Sequence, residues 1–209
     1  MLKPKSELVR EGYTKIAKKY HKQRNKYKNN KLLIKFSKQL PKGSNVIDLG
    51  CGAGIPVTKF LINKKYTVIG IDFAGGMIKL AKKNVPKAKF IEMDITKMNF
   101  KPNSFDGAVS FYAIIHIPRQ KHAGVYKNLH KILKPNAIML INACGTDING
   151  WEGYERDYLG VPMFWSFYGP KKTSRIITDS GFEILWSKIL KLGGEKQFWV
   201  LARNKKLRN

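Results

Sequence analysis

The chain has 209 residues, 43% of them hydrophobic, and carries 40 Lys and Arg against 14 Asp and Glu, a formal net charge of +26. That length suits one α/β core, read here as a single domain over residues 1–209. No stretch approaches a membrane span and the N-terminus shows no apolar run of signal-peptide length, so the expected setting is cytoplasmic, away from any membrane.

Residues 1–42 hold fourteen Lys or Arg and two acids, and read as basic helices near 5–20 and 30–39 with Tyr13, Tyr20 and Tyr27 interleaved. Such a face can grip phosphates, which makes nucleic acid one candidate partner. Lys outnumbers Arg by 33 to 7, however. Base and phosphate recognition leans on the planar guanidinium, so the lysine excess reads as compositional bias and a small molecule is the preferred acceptor.

The core is expected over 43–143. Val46-Ile47-Asp48-Leu49 describes a buried strand near 45–50 that breaks into Gly50-Cys51-Gly52-Ala53-Gly54. Glycine admits positive φ and lets a ligand lie against bare backbone. A helix near 54–63 would aim its free N–H groups at the same crevice. A dinucleotide loop has the spacing G-x-G-x-x-G. Here Ile55 follows Gly54, and G-x-G-x-G favours S-adenosylmethionine over a nicotinamide dinucleotide.

A second strand, 66–71, ends in Asp72, placed about 20 residues past the loop as a ribose-binding acid would be. After a helix at 75–84, a third strand, 88–92, delivers Asp94, which can accept from an adenine amino group. Singly, each of these acids is an ordinary strand end or helix cap, and Phe73 an ordinary core aromatic. Three such signals at successive strand ends mark the ligand crevice of an open α/β sheet. Strands near 105–111, 136–143, 182–189 and 196–203 and helices near 119–133 and 171–180 complete the alternation, with Gly181 as a helix C′ residue.

VIDLGCGAG, VIGIDFAGGMIKLA, FIEMDIT, SFDGAVSFYAIIHIP and LHKILKPNAIMLI, spread over 45–143, together resemble a class I S-adenosylmethionine-dependent methyltransferase of the small-molecule type, akin to ubiquinone and menaquinone methyltransferases. The resemblance implies a Rossmann-like, doubly wound sheet of seven mostly parallel strands with the last antiparallel. It implies that Asp48, Gly50, Cys51, Gly52 and Gly54 hold the methionine end. Asp72 would take the ribose, Phe73 one adenine face, and Asp94 with Ile95 its edge. Met77, Phe111 and Tyr20 are further cofactor candidates, and Tyr13 and Tyr112 acceptor candidates. The family's Asp-x-Ser-x-x-Met becomes Asp72-Phe73-Ala74-Gly75-Gly76-Met77, which leaves Gly75 as the expected N-cap. Ser110-Phe111-Tyr112-Ala113 replaces the [DNS]-P-P-[YF] of amino-methylating nucleic-acid enzymes.

Methyl transfer from a sulfonium needs alignment and desolvation, and a base only where the acceptor carries a proton. His116, just past the fourth strand, is placed to be that base; a loop-filling histidine bonded to backbone is the other reading. His21, His122 and His130 sit on basic helical stretches and are expected to be solvated. Tyr13 and Tyr20, seven apart, share a helix face, and the segment Gly12-Tyr13-x-x-x-Ala17-x-x-Tyr20 resembles one that closes over the cofactor in the family's quinone methyltransferases.

Residues 144–170 are read as a substrate or lid insert, with 171–209 supplying the last helix and strands. Gly145 to Tyr168 is too long for a simple connection, rich in aromatics, and carries Asp147, Glu152, Glu155 and Asp157 against Arg156 alone. It either lids an apolar acceptor pocket, with Trp165 and Phe167 as walls, or merely covers the sheet edge. Cys51 and Cys144 are expected to be free thiols, since the strand order that the resemblance implies puts one strand between them. No metal ligands are assigned.

Overall fold

The computed structural model describes residues 4–24, 30–192 and 194–205, so Tyr27 lies outside it. Strand β1 (Asn45–Leu49) is buried over all but its first residue, as an apolar run flanked on both sides must be. It pairs in parallel with β2 (Thr67–Asp72) on one side and β4 (Phe105–Ser110) on the other, with Ile47 beside Ile69 and Ala108. Strands β3 (Lys89–Glu92) and β5 (Leu133–Cys144) extend the two halves in parallel. The chain's last strand, β9 (Glu195–Asn204), runs antiparallel between β5 and β8 (Phe182–Leu192). The seven-stranded order is β3-β2-β1-β4-β5-β9-β8. Direction of winding reverses between β1 and β4, which opens a crevice at the carboxyl ends of these strands.

Successive side chains of β1 serve opposite faces. Ile47 and Leu49 join the layer covered by α5 (His122–Ile132) and α6 (Pro170–Asp179). Val46 joins the layer covered by α2 (Asn30–Ser37) and α3 (Val57–Asn63), where Trp199 is fully buried. Each such large apolar side chain contributes about 1.5–3 kcal/mol of burial. Gly181, at φ +97°, ends α6 as its C′ residue, with its N–H on the Thr178 carbonyl. Cys51 and Cys144 are free thiols. Among the described residues no helix is long and apolar enough to cross a membrane.

Three expectations are corrected. Helix α3 starts at Val57, later than 54, because Cys51 to Pro56 are spent on turns, in the first of which the Gly54 N–H bonds the Cys51 carbonyl. Helix α4 (Gly75–Asn84) is preceded by Ala74, not Gly75, as its N-cap, and no side chain caps it. The insert is not a loop. Strands β6 (Trp151–Tyr158) and β7 (Val161–Phe167) form a separate antiparallel hairpin, closed by Leu159 and Gly160 at φ +58° and +94°. Two central residues of positive φ match the right-handed strand twist.

Helix α1 (Lys5–Arg24) lies between this hairpin and α4, burying Val9, Tyr13, Ile16 and Ala17 against Met77, Met163 and Phe164. The approach is close enough that a Cβ on Gly76 would stand 2.6 Å from the Thr14 carbonyl oxygen. Gly76→Ala is therefore expected to lower stability by about 1–3 kcal/mol through overpacking. Gly124→Ala, in α5 with nothing within 4 Å of its added methyl, should gain about 0.5–1 kcal/mol from helix propensity. Denaturant midpoints of the two variants check both signs.

Candidate functional site

A cavity of about 310 Å³ occupies the crevice. Its floor is the backbone of Gly50 and Gly52, its walls carry Asp72, Phe73, Asp94, Ile95 and Phe111 from the strand ends with Met77 from α4, and Tyr13 and Tyr20 of α1 complete it. Tyr112 and His116, from the turn after β4, complete the lining. A smaller recess continues beneath the glycine loop, lined by Asp48, Cys51, Arg24 and His21 together with Gly50 and Gly52.

The loop's geometry follows from its glycines. Gly50 has φ +67°, and a Cβ there would fall 2.2 Å from the Ala113 methyl. Gly54 does not line the cavity: a methyl on it would press Phe90 and Val85 at 3.2 Å, so its role is to let the loop pack on the strand and helix behind.

Asp72 is buried, and each of its oxygens takes a backbone N–H: Gly52 donates to Oδ2 and Ala74 to Oδ1, both at 2.9 Å. Burial pushes its carboxyl up to about 6, with the nearby Glu92 charge adding and the backbone donors opposing. Asp48 is more deeply buried and accepts from the Thr58 hydroxyl at 2.6 Å. Burial raises it to about 7, the Thr58 bond opposing and the Asp72 charge adding. Asp94 caps the turn at Ile95–Lys97, its Oδ1 accepting from both the backbone and hydroxyl of Thr96. The capping reading and a place on the cavity wall thus hold together for this residue.

His116 is 7% exposed and both ring nitrogens are engaged. Nδ1 lies 2.8 Å from the Phe164 carbonyl oxygen, which can only accept, so Nδ1 carries the proton. Nε2 is left as an acceptor, and the Tyr13 hydroxyl donates to it at 2.7 Å. Burial lowers the imidazole to about 4, so the ring is neutral near pH 7. Burial, with the phenols of Tyr20 and Tyr158, raises the Tyr13 hydroxyl, keeping it protonated. Tyr13 and His116 therefore line the cavity as one hydrogen-bonded pair, with the Tyr13 hydroxyl occupying the histidine's free lone pair.

Trp165 and Phe167 do not reach the cavity wall. The Trp165 ring lies over His116 at 4.3 Å between centroids, and its indole N–H donates to Glu155 at 3.0 Å. Phe167 stacks on Trp151. The hairpin thus backs His116 and does not line the cavity. His122, expected in solvent, is 5% exposed and donates to the Ile117 carbonyl at 2.9 Å, bracing the His116 turn. His21 lines the smaller recess and His130 packs edge-on against Phe182, so neither is fully solvated.

Arg24 is not singled out by sequence reasoning, though it is buried at 9% exposure and its guanidinium stacks 3.6 Å above the Tyr112 ring. The available signal is spacing: Arg24 follows Tyr20 by four and shares its helix face. Lys5 pairs with Glu152, whose other oxygen accepts from the Ser166 hydroxyl at 2.9 Å, while Ser166 accepts the Arg119 N–H at 2.7 Å. This chain of bonds ties the start of α1, the hairpin and the turn after His116 together.

Residues 46–136 match a family described as methyltransferase domain. The chain is 28% identical over 158 residues to a sterol 24-C-methyltransferase of Aspergillus fumigatus, covering 70% of this chain and 41% of that one. It is 34% identical over 108 residues to a demethylmenaquinone methyltransferase of Chlamydia caviae, covering 50% of this chain and 46% of the relative. This chain spans less than half the length of either relative. A solved 1,6-didemethyltoxoflavin N1-methyltransferase of Burkholderia thailandensis, holding S-adenosylhomocysteine, shares the fold with TM-score 0.77 at 14% identity, covering 99% of this chain and 92% of its own. The methyltransferase-domain match thus spans residues 46–136, and the chain shares the fold of a solved S-adenosylmethionine-dependent methyltransferase of Methanosarcina mazei, with TM-score 0.70 at 21% identity over 80% of this chain and 95% of that one.

Proposed function

We propose that this protein transfers a methyl group from S-adenosylmethionine to a small-molecule acceptor. The observation that carries the reading is one cavity lined both by the acids of successive strand ends and by a hydrogen-bonded Tyr13–His116 pair. The residues fit the cofactor's chemistry. Asp72 faces the cavity as an acceptor for ribose hydroxyls, and Phe73, Asp94 and Ile95 offer a ring face and an edge acceptor for adenine. Asp48 and Arg24 share the recess at the glycine loop, where an amino group and a carboxylate would each find an opposite charge. Met77 and Phe111 supply apolar wall, and Tyr20 closes the roof.

When bound, S-adenosylmethionine supplies a methyl carbon made electrophilic by its sulfonium. The chain's own residues orient the acceptor, exclude water and handle a proton. The rings of Tyr13, Tyr20 and Tyr112 suit an amine or an aromatic acceptor through ring faces. A proton leaving the acceptor passes to the Tyr13 oxygen as the Tyr13 hydroxyl proton moves to His116 Nε2, so His116 acts as base through Tyr13. Residues 1–209 are read as one domain in a cytoplasmic setting, which the two free thiols support.

The reading is tested by incubating the protein with methyl-labelled cofactor and, separately, a cell metabolite extract and total RNA. Label in a small molecule is the expected result, and label confined to RNA would overturn it. Tyr13→Phe keeps the ring and removes the proton path; with a proton-bearing acceptor it should lower kcat by about 10²-fold or more, with little change in cofactor affinity.

Cofactor binding should also depend on pH. The folded protein holds protons on Asp48 and Asp72 that the unfolded chain releases near pH 4, so these two groups cost stability as pH rises toward about 7 and nothing further above it. Donors from a bound nucleoside and amino group favour the ionised carboxylates, so binding expels protons. Calorimetry with S-adenosylhomocysteine should show tighter binding at about pH 8 than at about pH 5.5, with net proton release near the two folded-state values. Asp48→Asn should flatten that dependence.

A further inference from the structure

Tyr112 has φ +62°, a left-handed backbone rarely taken by a bulky side chain. Such a conformation persists only where the surroundings over-determine it. The constraint here is a buried amide chain in the otherwise apolar contact of β5 with β9. The Tyr112 N–H donates to Asn142 Oδ1 at 2.6 Å, and Asn142 Nδ2 donates to Gln197 Oε1 at 2.6 Å. Gln197 Nε2 donates in turn to Glu195 Oε2 at 2.8 Å. Asn142 is 1% exposed and Gln197 5%.

The sequence of donors fixes the direction of the chain. Glu195 can only accept, so Gln197 must present its amide nitrogen to it and its oxygen to Asn142. Asn142 must then turn its own oxygen toward Tyr112. Neither Asn142 nor Gln197 lines the cavity or the recess. What the chain does settle is where the Tyr112 ring stands, edge-on to Trp199 at 6.1 Å and directly beneath the Arg24 guanidinium at 3.6 Å.

A guanidinium whose carbon sits 3.6 Å from a ring centroid is fixed in place by that contact while its N–H groups stay able to meet an anion. Arg24 lines the recess of the glycine loop with Asp48 on the same lining. Opposite charges in one small recess match a zwitterion, the amino-acid end of the cofactor.

We propose that Asn142 is a positioning residue that, through the left-handed Tyr112, holds Arg24 where it takes the carboxylate of the cofactor's methionine end. Asn142 touches no ligand itself. The inference rests on the cofactor reading above, but its prediction is confined to one end of that ligand.

The test is calorimetric binding of two ligands to the whole chain. S-adenosylhomocysteine carries the carboxylate, and 5′-methylthioadenosine has the same nucleoside thioether without the amino-acid part. Asn142→Ala should weaken S-adenosylhomocysteine about tenfold, the size of one charge-assisted contact, and leave methylthioadenosine within about twofold. Arg24→Gln should show the same selective loss, and the double variant no more than the larger single one, as expected of residues acting in series. Tyr112→Gly accepts the backbone conformation without a ring and should reproduce the selective loss, which covers the case where Asn142→Ala fails to fold.

Equal weakening of both ligands, no weakening of either, or additive losses in the double variant would each overturn the proposal while leaving the cofactor reading intact. A parent protein that binds neither ligand would remove both.

Discussion

One buried carboxylate holds the site together. Asp72 accepts the Gly52 N–H from the turn after β1 and the Ala74 N–H from the start of α4, so a single side chain joins two strand ends and a helix. The backbone donors stabilise its charge while burial opposes it, and burial wins, leaving the group close to neutrality in its titration. The glycine turn is thereby pinned in a shape that leaves bare backbone facing the cavity, and the acid stays ready for a ligand's donors to tip it toward ionisation. Asp48, beneath the same turn, is balanced in the same way with only one hydroxyl donor.

The second half of the site comes from elements outside the sheet. Helix α1 reaches its place because Gly76 lets it ride on α4 and because the hairpin supports its other flank. That support is chemical as well as steric. The Phe164 carbonyl on β7 fixes the His116 tautomer, and the Trp165 ring shields it, so the imidazole is neutral and its free lone pair is directed at Tyr13. The histidine that reads in the sequence as a candidate base lines the cavity with its Nε2 bonded to the Tyr13 hydroxyl.

Legibility in the sequence follows the range of the interactions. The parallel core, the glycine turn and the strand-end acids Asp72 and Asp94 are written in local runs of apolar strand, glycine spacing and an acid at the strand's end, whereas the antiparallel last strand comes from the family resemblance. The hairpin escapes such reasoning because its faces are covered unevenly, so β7 shows no clean alternation, and the one local signal is the Leu159-Gly160 turn. Trp165 and Phe167 are misplaced by sequence alone for the same reason, since a strand's pairing decides which way its aromatics point. The environments of His116, His122 and Tyr112 depend on partners 48, 5 and 30 positions away, and only the second of these lies within reach of a sequence window. Arg24 meets its ring from the far end of α1, across most of the core sequence.

The hairpin touches the hydrogen-bonded Tyr13–His116 pair and α1 but lines none of the cavity at the strand ends. A segment so attached is a replaceable module. Lengthening it, or exchanging Phe164 and Trp165 for residues that leave the imidazole wetter, would change the setting of His116 while leaving the strand ends as they are, so the two-stranded flap and the sheet crevice can vary independently of each other.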